Sequence, residues 1–296
     1  MAISSARSGG ASLRGAPLAL AVGCIALGAG CAPALSSFTP AHVAAPGHVQ
    51  LEVGGDASIP TGQFATLAAA GESVTARADT EALDVSDQRR LIEAAWGLAV
   101  NPPGVVTHLG LGLGIAEGLE VQGRLVSGGF RAGGRYQILH ASRQGIDLSA
   151  GLGLSRYTYG FGELSVLDFV EFDTYVRWQL DFPVLLGHRG DWFRWWGGPK
   201  LLLSTYESAF RVVIPEVPGR ADETSFAAQF RGGSWHLGGQ LGGAIGYRYV
   251  FLAAELTMML FRADAAVTTS SPELGGIDAA ATDLVVYPGL ALLGEF

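Results

Sequence analysis

The sequence is poor in charged residues and nearly lacks lysine and asparagine. Asp, Glu, Lys and Arg make up 16% of its 296 residues, and lysine and asparagine occur once each, as Lys200 and Asn101. Soluble globular domains carry about 25% charged residues. The net charge of −8 and the lack of any basic run argue against a nucleic-acid partner.

Cysteine and long apolar runs are also scarce. Both cysteines, Cys24 and Cys31, lie near the N-terminus, so the rest of the chain has no disulfide framework. No apolar run reaches the ~18 residues of a transmembrane helix. The best candidate, residues 250–261, is interrupted by Glu255. No histidine spacing or glycine motif indicates a bound metal or cofactor, and we predict none.

The first 30 residues have the composition of an export signal. Arg7 and Arg14 give a positively charged start, and no acidic residue precedes Glu52. Residues 16–30 are a short apolar stretch rich in small residues, too glycine-rich for a good buried helix. We predict that residues 1–30 are a cleaved signal segment, which directs the chain through the inner membrane.

Leu27 to Cys31 resembles the lipobox of bacterial lipoproteins. The resemblance implies that Cys31 is acylated and that the lipoprotein-export machinery handles the chain. Gly28 stands where the family usually has a large aliphatic residue, and Ala32-Pro33-Ala34 offers a rival cleavage site after Ala34. Both alternatives stay open. Residues 31–47, rich in Pro, Ala and Ser, are predicted to be the linker of a lipid anchor.

Apolar and polar residues alternate with a period of two over most of residues 48–296, as in β-strands. Residues 170–182 show this most clearly, with Phe172, Val176 and Trp178 on one face and charged residues on the other. Two packed soluble sheets would also alternate. Strands of ten or more residues, abundant glycine and aromatics near strand ends are instead typical of transmembrane barrels.

The alternation predicts ten strands, and their connections differ in length. If both termini lie in the periplasm, the periplasmic connections are short. The connections on the extracellular side are mostly long: residues 59–103, 158–168, 207–232 and 263–282. The predicted strands are 48–58, 104–115, 118–126, 129–140, 145–157, 169–185, 192–206, 233–246, 249–262 and 283–296.

The last strand ends on Phe296, which resembles the C-terminal signature of outer-membrane barrels. The resemblance implies recognition by the barrel-assembly machinery and contact with outer-membrane lipids. We therefore predict an all-β protein of a Gram-negative outer membrane. Residues 48–296 would form a single antiparallel up-and-down transmembrane β-barrel.

Residues 84–100, in the first long connection, have a helical pattern instead. Ile92, Trp96 and Ala99 lie near one stripe with Val85, and Asn101 and two prolines end the segment. The segment could be a lid across the barrel mouth, a plug in its lumen or an extra strand pair. We favour the lid or plug.

Alternation also predicts which charged residues point into the lumen. Six acidic and six basic residues do so, and this balance suggests an ion-paired interior. On one strand Glu171, Asp173, Arg177 and Asp181 form a ladder with which Arg124, Arg131 and Arg135 could pair. The full predicted network is Glu120, Arg124, Arg131, Arg135, Asp147, Glu171, Asp173, Arg177, Asp181, Arg194, Lys200 and Glu255.

A ten-stranded barrel is barely wider than the eight-stranded kind that side chains fill. We therefore predict a structural or loop-displaying membrane protein with a filled or narrow charged lumen. A narrow channel for ions or small solutes is the first alternative. A lipid-modifying enzyme is the second; Ser149, Ser155 and Ser204 are available, but no local signature ties them to a histidine. We predict that the protein is not an enzyme.

Overall fold

A computed structural model describes residues 33–62, 85–159, 170–173, 175–214, 224–270 and 275–296. These residues form eleven strand segments and two helices. The helices are α1 (Val85–Val100) and α2 (Ala141–Gln144). The strands are β1 (Val49–Pro60), β2 (Gly104–Ala116), β3 (Leu119–Val126), β4 (Gly129–Leu139), β5 (Asp147–Tyr159), β6 (Val170–Phe172), β7 (Tyr175–Arg189), β8 (Phe193–Ile214), β9 (Thr224–Tyr247), β10 (Val250–Thr269) and β11 (Gly276–Glu295).

The strands form one closed antiparallel barrel. Neighbours in the chain pair with each other, and β1 closes the circle by pairing with both β2 and β11. The short β6, which ends at Phe172, and the longer β7, which begins at Tyr175, both pair with β8 and together make one wall strand. The predicted ten-stranded up-and-down barrel is thus confirmed, and closure pairs the backbone of each wall strand on both sides.

The two rims of the barrel differ. At the lower rim, which holds the start of β1 and the end of β11, the connections are short: residues 117–118, 140–146, 190–192 and 248–249. At the upper rim they are residues 61–103, 127–128, 160–169, 215–223 and 270–275. The predicted asymmetry is present, but the predicted connections 207–232 and 263–282 are wrong, because β8 to β11 continue far into both.

An apolar belt surrounds the outer face of the barrel. On β10, burial alternates strictly, and the outward Val250, Leu252, Leu256, Met258 and Leu260 are all exposed. Outward leucines, valines and isoleucines are exposed in the same way on the other long strands, with aromatic residues towards both edges. Exposed apolar surface of this extent, edged by aromatics, is typical of a barrel that contacts lipid.

Above this belt, the long strands reverse their polarity. Arg231, Arg262 and Asp264 point outward and are exposed, whereas the inward Ala263 and Val267 are buried. The sequence prediction ended these strands too early because their outward face loses its apolar residues here. Among the described residues, no helix is long and apolar enough to cross a membrane.

Candidate functional site

Residues 33–44 of the predicted linker lie inside the barrel. Leu35 and Phe38 are 0% and 1% exposed, while residues 45–48 are exposed at the lower rim and lead into β1. The segment runs downward, since Ala34 contacts Tyr157 of β5 and Gly47 bonds Gly114 near the lower end of β2. We call residues 33–46 the lumen segment. The sequence had suggested a tether here, not a segment within the lumen.

Wall side chains accept hydrogen bonds from the main chain of the lumen segment. Ser37 N and Phe38 N donate to the two oxygens of Glu255 at 2.7 and 2.9 Å. Three further N–H groups bond other wall residues: Ser36 N to Asp56 at 3.1 Å, Val43 N to Gln137 at 3.0 Å and Ala44 N to Glu120 at 2.7 Å. Carboxylates thus accept four of these five bonds.

Wall cations and one phenol bind the carbonyls of the same segment. The Arg124 guanidinium donates to the carbonyls of Ser36 and Ser37. The remaining donors reach four more carbonyls: Arg135 bonds Pro40 O and His42 O, Lys200 bonds Leu35 O and Tyr157 bonds Ala34 O. The protein's one lysine is therefore 4% exposed and held against this segment.

Phe38 gives the segment its bend. It is a non-glycine residue at φ 47°, a sparsely populated region that costs ~1–3 kcal/mol. The bend aims two successive N–H groups at Glu255, as in an anion-binding nest. Its ring lies 5.2 Å from that of His108 and against Gly289, where a β-carbon would overlap the ring. A β-carbon on Gly114 would likewise overlap the carbonyls of Ala44 and Ala45.

Buried ion pairs connect the wall strands around this segment. Arg135 bonds Glu120 at 2.9 Å and Arg131 bonds Asp181 at 2.6 Å. Arg124 bonds Glu52, and His108 Nδ1 lies 2.7 Å from a Glu52 oxygen. Charge-assisted bonds of this kind are about twice as strong as neutral ones. They fix the positions of the groups that bind the main chain of the segment.

A second ionic group lies at the lower rim. Arg194 Nη2 donates to Glu295 Oε2 at 2.9 Å, and Nη1 lies 2.7 Å from Oε1 in the same ion pair. The guanidinium lies 3.6 Å from the centre of the Phe251 ring. His42 of the lumen segment also bonds Glu295. The last strand of the barrel is thereby tied to the segment that precedes the first.

Most residues of the predicted charge network lie in this lumen. Arg131 is partly exposed. Asp173 is exposed, because it follows the end of β6 and belongs to no strand. The side chain of Glu171 lies outside the described residues. Arg177 donates to Val100 O at 3.1 Å and Ser204 Oγ at 3.0 Å, so it holds α1 as well as the wall. The buried members are Glu120, Arg124, Arg135, Asp147, Arg177, Asp181, Arg194, Lys200 and Glu255.

Four lumen residues were not predicted from the sequence: Glu52, Asp56, His42 and Glu295. Glu52 and Asp56 share the inward face of β1 with Ser58, so strict alternation could have identified them. Glu295 has the same parity as the buried residues of β11, so alternation could have identified it as well. His42 carried no such signal, because it belongs to a segment without regular structure.

Helix α1 occupies the upper half of the lumen. Ile92, Trp96, Ala99 and Val100 are buried in one cluster with aromatic residues from the inner wall, whereas Val85 of the predicted stripe is 43% exposed. The wall aromatics in this cluster are Tyr157, Tyr175, Tyr206, Phe210, Phe230, Phe261 and Tyr287. The lumen therefore has a charged lower half that holds the lumen segment and an apolar upper half that holds α1.

Two further predicted sites concern the chain ends. Phe296 exchanges main-chain hydrogen bonds with Val49 at 2.9 and 3.0 Å, and its ring stacks on Tyr249 at the lower rim. Cys31 lies outside the described residues. In the described part of the chain, no group of three or more His, Cys, Asp or Glu side chains is arranged to hold a metal ion.

Comparison with known proteins gives a distant structural likeness only. No family model and no curated protein matches the sequence. A major outer membrane protein from Thermus thermophilus is 10% identical, with 84% of this chain and 99% of that chain covered and a TM-score of 0.33.

Two other solved structures are similar over the same 84% of this chain. The RagAB peptide transporter is 9% identical over 40% of its own chain, with a TM-score of 0.28. A bacterial polysaccharide outer membrane secretin is 12% identical over 98% of its chain, with a TM-score of 0.22. Similarity this low is no evidence that this protein shares an activity with any of them.

Proposed function

We propose that the protein is a bacterial outer-membrane β-barrel that acts as a closed scaffold and displays the connections of its upper rim. The observation that carries this proposal is the set of hydrogen bonds between wall side chains and the main chain of the lumen segment. The apolar belt and its aromatic edges support a position in the membrane.

The cost of emptying the lumen supports a closed state. If the lumen segment left, Glu255, Arg124 and Lys200 would lose main-chain partners while remaining in a narrow interior. Breaking a buried charged pair typically costs ~3–5 kcal/mol because the remaining group stays uncompensated. Helix α1 closes the upper half independently, since its buried residues pack against the wall aromatics.

Planar-bilayer conductance tests the proposed scaffold. We expect no steady single-channel current from the wild type and intermittent openings from Arg124→Ala, which loses two carbonyl bonds and the pair with Glu52. Arg143→Ala is the matched control, because Arg143 is exposed on α2 and bonds only the exposed Glu117 among the described residues. A steady ionic current through the wild type would favour the alternative, a narrow channel for ions or small solutes.

The proposal includes no catalytic role. An enzyme that modifies the lipid around the barrel would need its nucleophile on the outer face. Ser149 and Ser155 are 0% exposed and Ser204 is 6% exposed, and all three lie on the inward faces of their strands. Lipid on the outer face is separated from these hydroxyls by the barrel wall.

We also propose export by the signal segment and an anchor upstream of Ala34, handled by the lipoprotein-export and barrel-assembly machineries. Cleavage after Ala34 would remove the carbonyl that accepts the Tyr157 bond. It would also leave an α-ammonium group on Leu35, which is fully buried and whose carbonyl binds the Lys200 ammonium. Two like charges so close in a dry interior are unfavourable.

Mass spectrometry of the mature N-terminus tests this anchor. We expect a peptide that begins at Cys31 and carries acyl chains, and we expect Cys31→Ser to lose them. A mature chain that begins at Leu35 would contradict the proposal and support the rival cleavage site.

A further inference from the structure

We propose that the lower lumen is a binding site for an extended polypeptide and that the lumen segment is its tethered occupant. The ligand class is a stretch of about eleven residues with mostly small side chains, recognised through its main chain. This inference rests on the proposed function, since it takes the segment that closes the barrel as a ligand that another peptide can replace.

The wall binds mainly the main-chain atoms of the lumen segment. Among the described residues, eleven hydrogen bonds join wall side chains to the main chain of residues 34–44. Side-chain bonds to the wall from this segment come from Ser37 and His42. Main-chain bonds give affinity with little dependence on sequence, as they do where peptides add to a sheet edge.

The wall groups are arranged to match the donors and acceptors of a polypeptide backbone. Carboxylates and an amide face the N–H groups of the segment, while guanidinium, ammonium and phenol groups face its carbonyls. They come from six strands: β1, β3, β4, β5, β8 and β10. Every polypeptide has such N–H and carbonyl groups, so the wall complements a backbone in this conformation and not one particular sequence.

The wall also limits the space for the side chains of the segment. A β-carbon on Gly187 would come within 2.9 Å of the Ala41 methyl, and one on Gly289 would overlap Phe38. The wall therefore leaves room for a small side chain beside Gly187 and for an aromatic ring between Gly289 and His108. This restricts the ligand to peptides of similar composition.

Peptide exchange tests the proposal on the full chain. A protease site is inserted between Pro46 and Gly47, which are exposed, and cleavage leaves the lumen segment held without a covalent link. The cleaved protein is unfolded in urea and refolded with a fluorescein-labelled peptide of residues 33–46. Anisotropy then measures incorporation. Unlabelled peptides compete with the labelled one.

Two competitors separate main-chain from side-chain recognition. A peptide with alanine in place of Thr39, whose partly exposed side chain bonds only within the segment among the described residues, keeps every main-chain bond to the wall and should compete within about threefold of the natural sequence. A peptide N-methylated at Ser37 and Phe38 loses both bonds to Glu255 and should compete at least tenfold more weakly. In the wall, Glu255→Gln should weaken binding similarly, while Glu207→Gln, on the exposed outer face of β8, should leave it unchanged.

The outcomes are distinct. No incorporation of the labelled peptide, or equal competition by the N-methylated one, would overturn the inference. Conductance of the uncut protein reports separately on the closed scaffold. A conducting wild type that nevertheless incorporates the peptide would contradict the proposed function and leave the binding site supported.

Discussion

At the residue scale, the surroundings of a charged pair decide what the pair contributes. Arg135–Glu120 and Arg231–Glu207 both have nitrogen–oxygen distances of 2.9 Å. The first pair is 1% and 0% exposed in the lumen, and the second is 83% and 56% exposed on the outer wall. Water solvates the partner that remains when the exposed pair is broken, whereas the lumen offers the buried carboxylate few substitutes.

Arg135→Ala should therefore destabilise the barrel far more than Arg231→Ala. We expect a loss of ~3–5 kcal/mol in the free energy of unfolding for the first and ~0–1 kcal/mol for the second. Urea unfolding of both variants in lipid vesicles measures the difference. Equal losses would mean that water reaches Glu120 and that the lower lumen is open.

At the scale of elements, two parts of the chain fill the lumen by different means. The lumen segment has no regular structure, so its backbone polar groups depend on the wall. Helix α1 satisfies most of its own backbone groups and buries an apolar face, with Arg177 bonding Val100 O at its C-terminus. A cation at this end also interacts favourably with the helix dipole.

Trp96→Ala should release α1 while leaving the barrel closed on itself. Trp96 is 1% exposed, and truncating such a side chain costs ~3–5 kcal/mol. Because α1 is not a wall strand, we expect the amides of residues 85–100 to lose protection from hydrogen exchange while the amides of the strands keep theirs. Val85→Ala is the control, since Val85 is largely exposed. Unchanged protection in Trp96→Ala would show that wall packing does not hold the helix.

Sequence periodicity predicted the elements whose signal is local. The strand alternation and the helical pattern depend on neighbours a few positions apart. Both kinds of element are present, the helix as Val85–Val100. The position of the lumen segment was not predictable in this way. Its bonds join Ser36 to Asp56 and Ser37 to Glu255, 20 and 218 positions apart, and are formed by backbone atoms that every residue has.

At the scale of the whole molecule, the barrel wall is uneven in height. β3 has 8 residues and β4 has 11, whereas β8 to β11 have 20–24 each. Strands spanning a bilayer need about 9–11 residues. The longer strands therefore extend beyond the apolar belt on one side of the barrel, where their outward residues become polar and α1 packs against their inner face.

An arginine scan along the outer face of β9 should locate the boundary between lipid and water. Leu241 is 64% exposed and pairs with Leu256 within the belt, while Gln229 pairs with Thr268 above it. Arginine near the bilayer midplane costs ~2–4 kcal/mol, and outside the apolar region it costs ~0–1 kcal/mol. We expect Leu241→Arg to show the larger loss and Gln229→Arg almost none, as measured by urea unfolding in vesicles. Native Arg231, two positions from Gln229 on the same face, already tolerates this environment. Equal losses at the two positions would mean that lipid surrounds the upper wall as well. The apolar belt would then not end between Leu260 and Arg262.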